Sequence, residues 1–268
     1  MIQSDYHVHS NFSSDSKATM ESMVEQAISL GFTRICFTDH MDYDFPGQYD
    51  LAFVFDPEEY FKKLKELKER YKDKITVLFG IECGLRPYLS ERYSMLINSY
   101  PFDFVICSTH IVDDLDPYYK EFWEDRTKKD GLNRYFDAMI DTIRAFDDFD
   151  VYGHLDYIVR YVPNKDTTYD YEDYKDKIDT ILTLLIEKDK GIEVNTAGYK
   201  YGLNAPNPSV PVIKRYLELG GKIISIGSDG HMPEHFAYDF EKVRELLLSL
   251  GITQYTVFEK RKPILVDL

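Results

Sequence analysis

Cysteine, cationic charge and long apolar runs are what this sequence has least of. Cys36, Cys83 and Cys107 are its only cysteines, each inside an apolar run and none in a CxxC spacing. That excludes a disulfide framework and fits small buried thiols in a reducing compartment. No stretch nears the roughly 18 apolar residues of a membrane span. The opening "MIQSDYHVHS" has neither the basic start nor the apolar middle of a secretory signal, so a cytoplasmic protein without a membrane partner is the expectation. Lys and Arg number 32 against 47 Asp and Glu, a formal net charge of −15. Such a surface repels a polyanion, so no nucleic-acid partner is expected. A small phosphate-bearing substrate stays compatible if bound cations reverse the sign locally. Repeats, low-complexity tracts and Ser/Gly/Pro linkers are absent, and no feature sets an oligomeric state.

Aromatic residues, by contrast, are plentiful. Hydrophobic residues make up 44% and aromatics 15%, with 17 Phe and 22 Tyr, enough for a sizeable core and too many for a disordered chain. Apolar runs recur at residues 2–9, 34–40, 75–82, 103–110, 150–154, 191–196 and 222–231. Several are apolar throughout, as strands buried on both faces are. Helical periodicity fills the gaps. In "TMESMVEQAISLG", Met20, Met23, Ala27 and Leu30 share a face, Thr19 suits an N-cap and Gly31 a stop. "PEEYFKKLKELKERYKDK" opens on Pro57 and two glutamates, which suit a helix N-terminus. Further helices are expected over 128–149 and in "YEDYKDKIDTILTLLIEKDKG", "PSVPVIKRYLELGG" and "PEHFAYDFEKVRELLLSLG". The ending "YTVFEKRKPILVDL" reads as a hairpin turning at "RKP". Seven strand–helix units without a composition break predict one α/β barrel-like domain over 1–268. Three long aperiodic stretches, 40–56, 110–125 and 195–209, each follow a strand. That puts them at one end of the barrel, where loops of such length carry function.

Unusual polar residues collect at the ends of the apolar runs. His7 and His9 close the first, Asp39-His40 the second, Glu82 the third, His110 the fourth, His154 the fifth, and Asp229 with His231 the last. Six of the seven histidines therefore stand at the C-terminal end of a predicted strand. In a parallel barrel those ends share one rim, where active sites are built. In each HxH or DxH pair the strand period of two turns both side chains to one face. A packed interior cannot hold so many imidazoles and carboxylates without severe desolvation cost. Divalent cations resolve this by neutralising the acids and taking imidazole lone pairs. His7, His9, Asp15, His40, Glu82, His110, His154, Asp229 and His231 are the candidate ligands, more than one ion needs. At roughly three to five protein ligands each, two or three ions are expected, with Glu82 able to bridge a pair. Imidazole-rich mixed sites accept Zn, Fe, Mn or Co.

"DYHVHS", "FTDH", "FGIE", "STH", "GHLD", "EVNTAG" and "GSDGH", in this order, resemble the motifs of the polymerase-and-histidinol-phosphatase (PHP) family over nearly the whole chain. The resemblance implies a distorted seven-stranded (β/α) TIM-like barrel with a trinuclear metal site. It implies His7, His9, Glu82 and Asp229 on one ion, Glu82, His110 and His154 on a second, and Asp15, His40 and His231 on a third. Asp15 stands where many members have histidine. Asp39 is expected either to orient His40 or another ligand, or to be structural. Within the family the motifs look most like those of stand-alone phosphatases acting on L-histidinol phosphate. That implies a phosphomonoesterase of histidine biosynthesis with a small phosphate ester as substrate.

Paired ions suit phosphoester hydrolysis, because they bring a bridging water to a near-neutral pKa and clamp the phosphoryl oxygens. A bridging hydroxide would attack phosphorus in line with the leaving alcohol. Arg160 in "HLDYIVRY" suits bidentate phosphate binding, and Lys200 in "AGYKYG" is a second cation. Asp42, or a water, would protonate the leaving oxygen. "HIVDDLDPYYKEFW" carries Asp113, Asp114, Asp116, Tyr118, Tyr119 and Trp123, whose carboxylates and aromatic faces suit a small cation. A solvated acidic loop is the plain alternative, and His235 is given no role. Other readings are the same site acting on nucleotides, nucleic acid or phosphotyrosine, an amidohydrolase-type barrel cleaving C–N bonds, and a metal-binding protein without activity.

Overall fold

The computed structural model describes residues 1–268. Strands β1 (Ser4–Val8), β2 (Arg34–Phe37), β3 (His40–Met41), β4 (Thr76–Gly84), β5 (Phe104–Ser108), β6 (Val151–Tyr152), β7 (Gly191–Asn195) and β8 (Ile224–Gly227) pair in parallel. Their order is β1-β2-β4-β5-β6-β7-β8, with β3 a short additional partner of β4. A bridge from Val8 to Gly230 brings the exit of β8 against β1, so the seven-stranded path almost closes into the expected barrel. Around it lie α1 (Met20–Ser29), α2 (Pro57–Tyr71), α3 (Ser90–Ser99), α4 (Lys120–Trp123), α5 (Lys128–Ala145), α6 (Lys175–Glu187), α7 (Ala197–Lys200), α8 (Val210–Glu218) and α9 (Phe240–Ser249). No helix is long and apolar enough to cross a membrane.

The local chemistry explains most boundaries. Thr19 caps α1, its hydroxyl accepting the Ser22 amide at 3.1 Å, and Gly31 leaves the helix at φ +77°. Asp56 caps α2 directly before Pro57, and a Thr127–Asp130 capping box starts α5. Four expectations shift. α3 went unforeseen: it buries only Tyr93, Leu96 and Ile97, and that apolar stripe is too short to stand out in the sequence. The helix expected from Pro233 begins only at Phe240, because Ala237 and Asp239 each take φ +54°. Glu82 does not end its strand, since β3 pairs beside Glu82 and Cys83 and β5 carries β4 on to Gly84. The terminal hairpin of β9 (Gln254–Glu259) and β10 (Lys262–Asp267) turns at Lys260-Arg261, not at "RKP". Both turn residues have positive φ (51° and 63°), the two-residue geometry that matches strand twist.

That hairpin seals the N-terminal end of the barrel. Tyr6 donates its hydroxyl to the Phe258 carbonyl at 2.8 Å, and Phe258 packs on Phe104 with centroids 4.9 Å apart. Asp103 accepts the Lys260 amide, while Asp150 accepts Arg261 Nε at 2.6 Å. With one end plugged by aromatics and ion-paired acids, only the C-terminal rim is left open for polar chemistry. Phe258→Ala is expected to lower the unfolding free energy by about 3–5 kcal/mol, the usual cost of emptying a buried aromatic site. A urea titration checks it, and a loss below about 1 kcal/mol would show that the hairpin packs outside the cooperative core.

Candidate metal centre

Glu82 lies at the middle of the open rim and is fully buried. Its Oε2 is 3.3 Å from His7 Nε2, 3.6 Å from His9 Nε2 and 2.9 Å from His40 Nδ1. Its Oε1 is 2.9 Å from His154 Nε2 and 3.3 Å from His110 Nε2, and it also accepts the Ser108 hydroxyl at 2.8 Å. The two oxygens thus face different imidazole sets. Asp229 Oδ1 stands 3.4 Å from His9 Nε2 and 3.9 Å from His7 Nε2. Asp15 Oδ2 stands 3.1 Å from His231 Nε2 and 3.7 Å from His40 Nε2. All nine residues singled out from the sequence therefore converge.

Apart from the Ser108 and His154 contacts with Glu82 Oε1, these close approaches are not hydrogen bonds. His7 Nε2, His9 Nε2, His40 Nδ1, His231 Nε2 and Glu82 Oε2 are buried and lack hydrogen-bond partners. Orphaned buried polar atoms are costly, and five pointing into one volume fit a site shaped for ions. Four donor sets have their ligand atoms within 4.8 Å of one another: His7/His9/Glu82, Glu82/His110/His154, His9/His40/His231 and His40/Asp42/His110. Nitrogen and carboxylate oxygen donors of this kind suit divalent transition metals.

A second ring of groups holds the imidazoles. His7 Nδ1 donates to Glu193 Oε1 at 2.6 Å, which leaves Nε2 directed at the cluster. Glu193 also accepts the His154 amide and Asn195 Nδ2. Any side chain at Gly227 would collide with it, a Cβ there lying 2.4 Å from Glu193 Oε1 and 2.3 Å from His7 Cβ. His9 Nδ1 lies 3.1 Å from the Ser13 hydroxyl, which itself donates to Asp39 at 2.8 Å. Asp39 therefore reaches His9 through Ser13 and does not touch the His40 ring. Asp42, expected as a proton donor, has both oxygens engaged as acceptors, from Gly84 N at 2.9 Å and His110 Nδ1 at 2.7 Å. Gly84 permits this, since a Cβ there would fall 2.4 Å from the Asp42 carboxyl. His231 Nδ1 donates to the Asp229 carbonyl at 3.0 Å. His154 and Asp229 themselves adopt positive φ (22° and 54°), a backbone strain typical of functional sites.

The electrostatics agree with ligand duty. Burial pushes the His9 imidazole well below its ordinary value, helped by neighbouring His231 and His40, so it presents a lone pair. Burial opposes ionisation of Glu82, but His7, His40 and His110 outweigh it and hold the carboxyl well below the usual range. Asp229 is held down in the same way, by neighbouring His9, His7 and His231 against burial.

The cluster opens into a cavity of about 490 Å³ walled by the three long loops, with Phe45, Asp116, Tyr118, Arg160 and Lys200 among its lining. Arg160 sits over three tyrosine rings, Tyr201 at 4.4 Å, Tyr157 at 5.0 Å and Tyr161 at 5.3 Å. Its Nε is buried without a partner. Lys200 Nζ donates to the Asp229 carbonyl at 3.3 Å, and burial lowers its pKa. Tyr118 is 63% exposed at the cavity mouth. Burial pushes the Asp116 carboxyl up to about 6. The sequence did not single out Glu193, Ser13 or Asp5, whose carboxylate ties Ser228 and Ala237 to β1. The one available signal was Glu193 itself, an acid inside the otherwise apolar run "GIEVN".

Comparison with known proteins gives a consistent picture. The PHP domain family matches residues 5–197. A histidinol-phosphatase of Lactococcus lactis subsp. lactis is 33% identical over 263 residues, covering 98% of this chain and 96% of that protein. A probable histidinol-phosphatase of Clostridium acetobutylicum is 32% identical, covering 96% and 97%. A crystal structure of the Lactococcus lactis histidinol phosphate phosphatase, complexed with zinc, L-histidinol and phosphate, superposes with a TM-score of 0.88 at 32% identity over 98% of each chain. With this barrel, this rim and a family match over most of its length, the chain belongs to the PHP domain family.

Proposed function

We propose that this chain is a metal-dependent phosphomonoesterase that hydrolyses L-histidinol phosphate to L-histidinol and phosphate, a cytoplasmic step of histidine biosynthesis. One observation carries it: the donor cluster and an arginine without an acidic partner line the same cavity. In a chain with 47 acids, an unpaired guanidinium cradled by tyrosines is a site kept for an incoming anion. The likeness to a phosphatase crystallised with zinc, L-histidinol and phosphate supports the same substrate.

In this reading His7, His9, Glu82 and Asp229 hold one ion, Glu82, His110 and His154 a second, and Asp15, His40 and His231 a third. When bound, the ions neutralise phosphoryl charge and lower the pKa of water to near neutral. The rest falls to the chain. Arg160 grips non-bridging oxygens with its planar fork, and the Tyr157, Tyr161 and Tyr201 rings fix its orientation. Lys200, tethered to the Asp229 carbonyl, adds positive charge beside the cluster. Tyr118 narrows the mouth of the cavity. Asp42 acts as a positioning carboxylate that keeps His110 Nε2 aimed at Glu82. Glu193 does the same for His7, and buried carboxylate–imidazole pairs of this kind raise ligand basicity.

Elemental analysis of purified protein is expected to find roughly two to three divalent ions per chain. Removing them with a chelator should lower the melting temperature and zinc should restore it, because ions that bind only the folded state stabilise it; one ion or none would refute the site. Glu193→Gln is expected to weaken metal binding by about 10–100-fold in chelator competition, with far-UV circular dichroism unchanged. Arg160→Ala should lower kcat/KM for L-histidinol phosphate about a hundredfold or more while metal content stays constant, as loss of one transition-state charge contact does. A phosphate-release panel of L-histidinol phosphate, sugar phosphates, nucleotides and phosphotyrosine checks the substrate, and absence of a clear preference for the first overturns it.

A further inference from the structure

Four acids line the cavity: Asp15, Asp42, Asp116 and Asp229. Three of them stand within 4 Å of an imidazole, Asp15 by His231, Asp42 by His110 and Asp229 by His9. Asp116 has no such neighbour and no ion pair. It belongs to the acidic loop that follows β5, and the structure separates the members of that loop sharply. Asp113 is held by Arg134 at 2.7 Å and Arg126 at 3.0 Å. Asp114 is held by Arg86 at 2.8 Å. Those two aspartates fasten the loop to the barrel and are already neutralised. Asp116 is left with its charge facing the cavity.

Its position is built. The Asp116 amide donates to the Tyr49 hydroxyl at 3.1 Å, and its Oδ1 accepts the Tyr118 amide at 2.8 Å. Tyr49 in turn stacks on Tyr119, with centroids 4.1 Å apart and planes 8° from parallel. One carboxylate oxygen is thus spent on the loop and the other has no protein partner. Tyrosine and phenylalanine rings line the cavity it faces, and aromatic faces also attract cations. Arg160 lines the same cavity but does not pair with Asp116. Two tyrosines stand between them: Arg160 packs on Tyr161, and Tyr161 meets Tyr118 edge-on at 5.4 Å. An unpaired cation and an unpaired anion in one cavity, held apart by rigid rings, form a recognition pair for a ligand of opposite polarity.

We infer that Asp116 is a specificity-determining residue that reads a cationic group, a protonated amine or imidazolium, on the alcohol portion of a phosphate monoester. The inference rests on the phosphatase reading and adds the residue that selects the leaving alcohol. Asp113 and Asp114 take no part in that selection.

The test compares kcat/KM of wild type, Asp116→Asn and Asp113→Asn on L-histidinol phosphate, O-phosphoethanolamine and glycerol phosphate, the last without a cation. Metal content and circular dichroism confirm that each variant is folded and loaded. Wild type is expected to prefer the cationic esters. Asp116→Asn should lower the cationic-to-neutral ratio by about tenfold or more, the scale of losing one charge-assisted hydrogen bond, and Asp113→Asn should keep it. Wild type without a cationic preference, or a preference that survives in Asp116→Asn, overturns the inference. A cationic preference that depends on Asp116 while L-histidinol phosphate itself goes unhydrolysed keeps the inference and overturns the substrate named above.

Discussion

Everything at the open end of the barrel is arranged around one buried carboxylate. Glu82 is fully buried and lies within 3.6 Å of His7, His9, His40, His110 and His154. A lone carboxylate in such a place is prohibitively expensive, and the buried inward-facing nitrogens of His7, His9 and His40, which have no hydrogen-bond partner, are little better. The arrangement becomes reasonable when shared positive charge sits among them, and the two oxygens of Glu82 already divide the imidazoles into two groups. The polar rim is therefore tolerable only as a unit, which explains why so many other polar residues are committed to holding it.

That commitment forms a ring of anions one bond further out. Glu193 holds His7, Asp42 holds His110, and Asp39 holds His9 through Ser13. Each carboxylate makes the facing nitrogen a hydrogen donor and so turns the other nitrogen inward. Glycine supplies the clearance, at Gly227 for Glu193 and at Gly84 for Asp42. The opposite end of the barrel spends its buried acids differently: Asp103 and Asp150 fasten the terminal hairpin. The same residue types thus stabilise one end and tune donors at the other, according to whether their partners are backbone amides and arginine or imidazoles.

Recognition follows from the same economy of charge. In a chain with a net charge of −15, almost every cation near the rim is claimed by an acid, as Arg86, Arg126 and Arg134 are. Arg160, like Lys200, has no acidic partner, and Asp116 is the exception on the anionic side. Tyrosine rings isolate Arg160 and Asp116, which keeps them from collapsing onto each other and leaves the cavity polarised for a small ligand.

The sequence alone determined the parallel alternation of strands and helices, and it gathered the polar residues of the rim at or just beyond the ends of apolar runs. Strand period and apolar runs are local properties, written in consecutive residues, and the rim follows from them once the strands are parallel. Helix α3, with a buried stripe of three residues, left too faint a period to read. Only the tertiary structure decided which acids do what. Asp113 and Asp116 look equivalent in "DDLD", yet one is neutralised by Arg126 and Arg134 and the other faces the cavity. Glu193 looks like a stray charge in a strand until His7, 186 residues away in sequence, is brought to 2.6 Å. Such roles depend on which groups the fold carries within hydrogen-bond reach, and that distance is not encoded in any short stretch of residues.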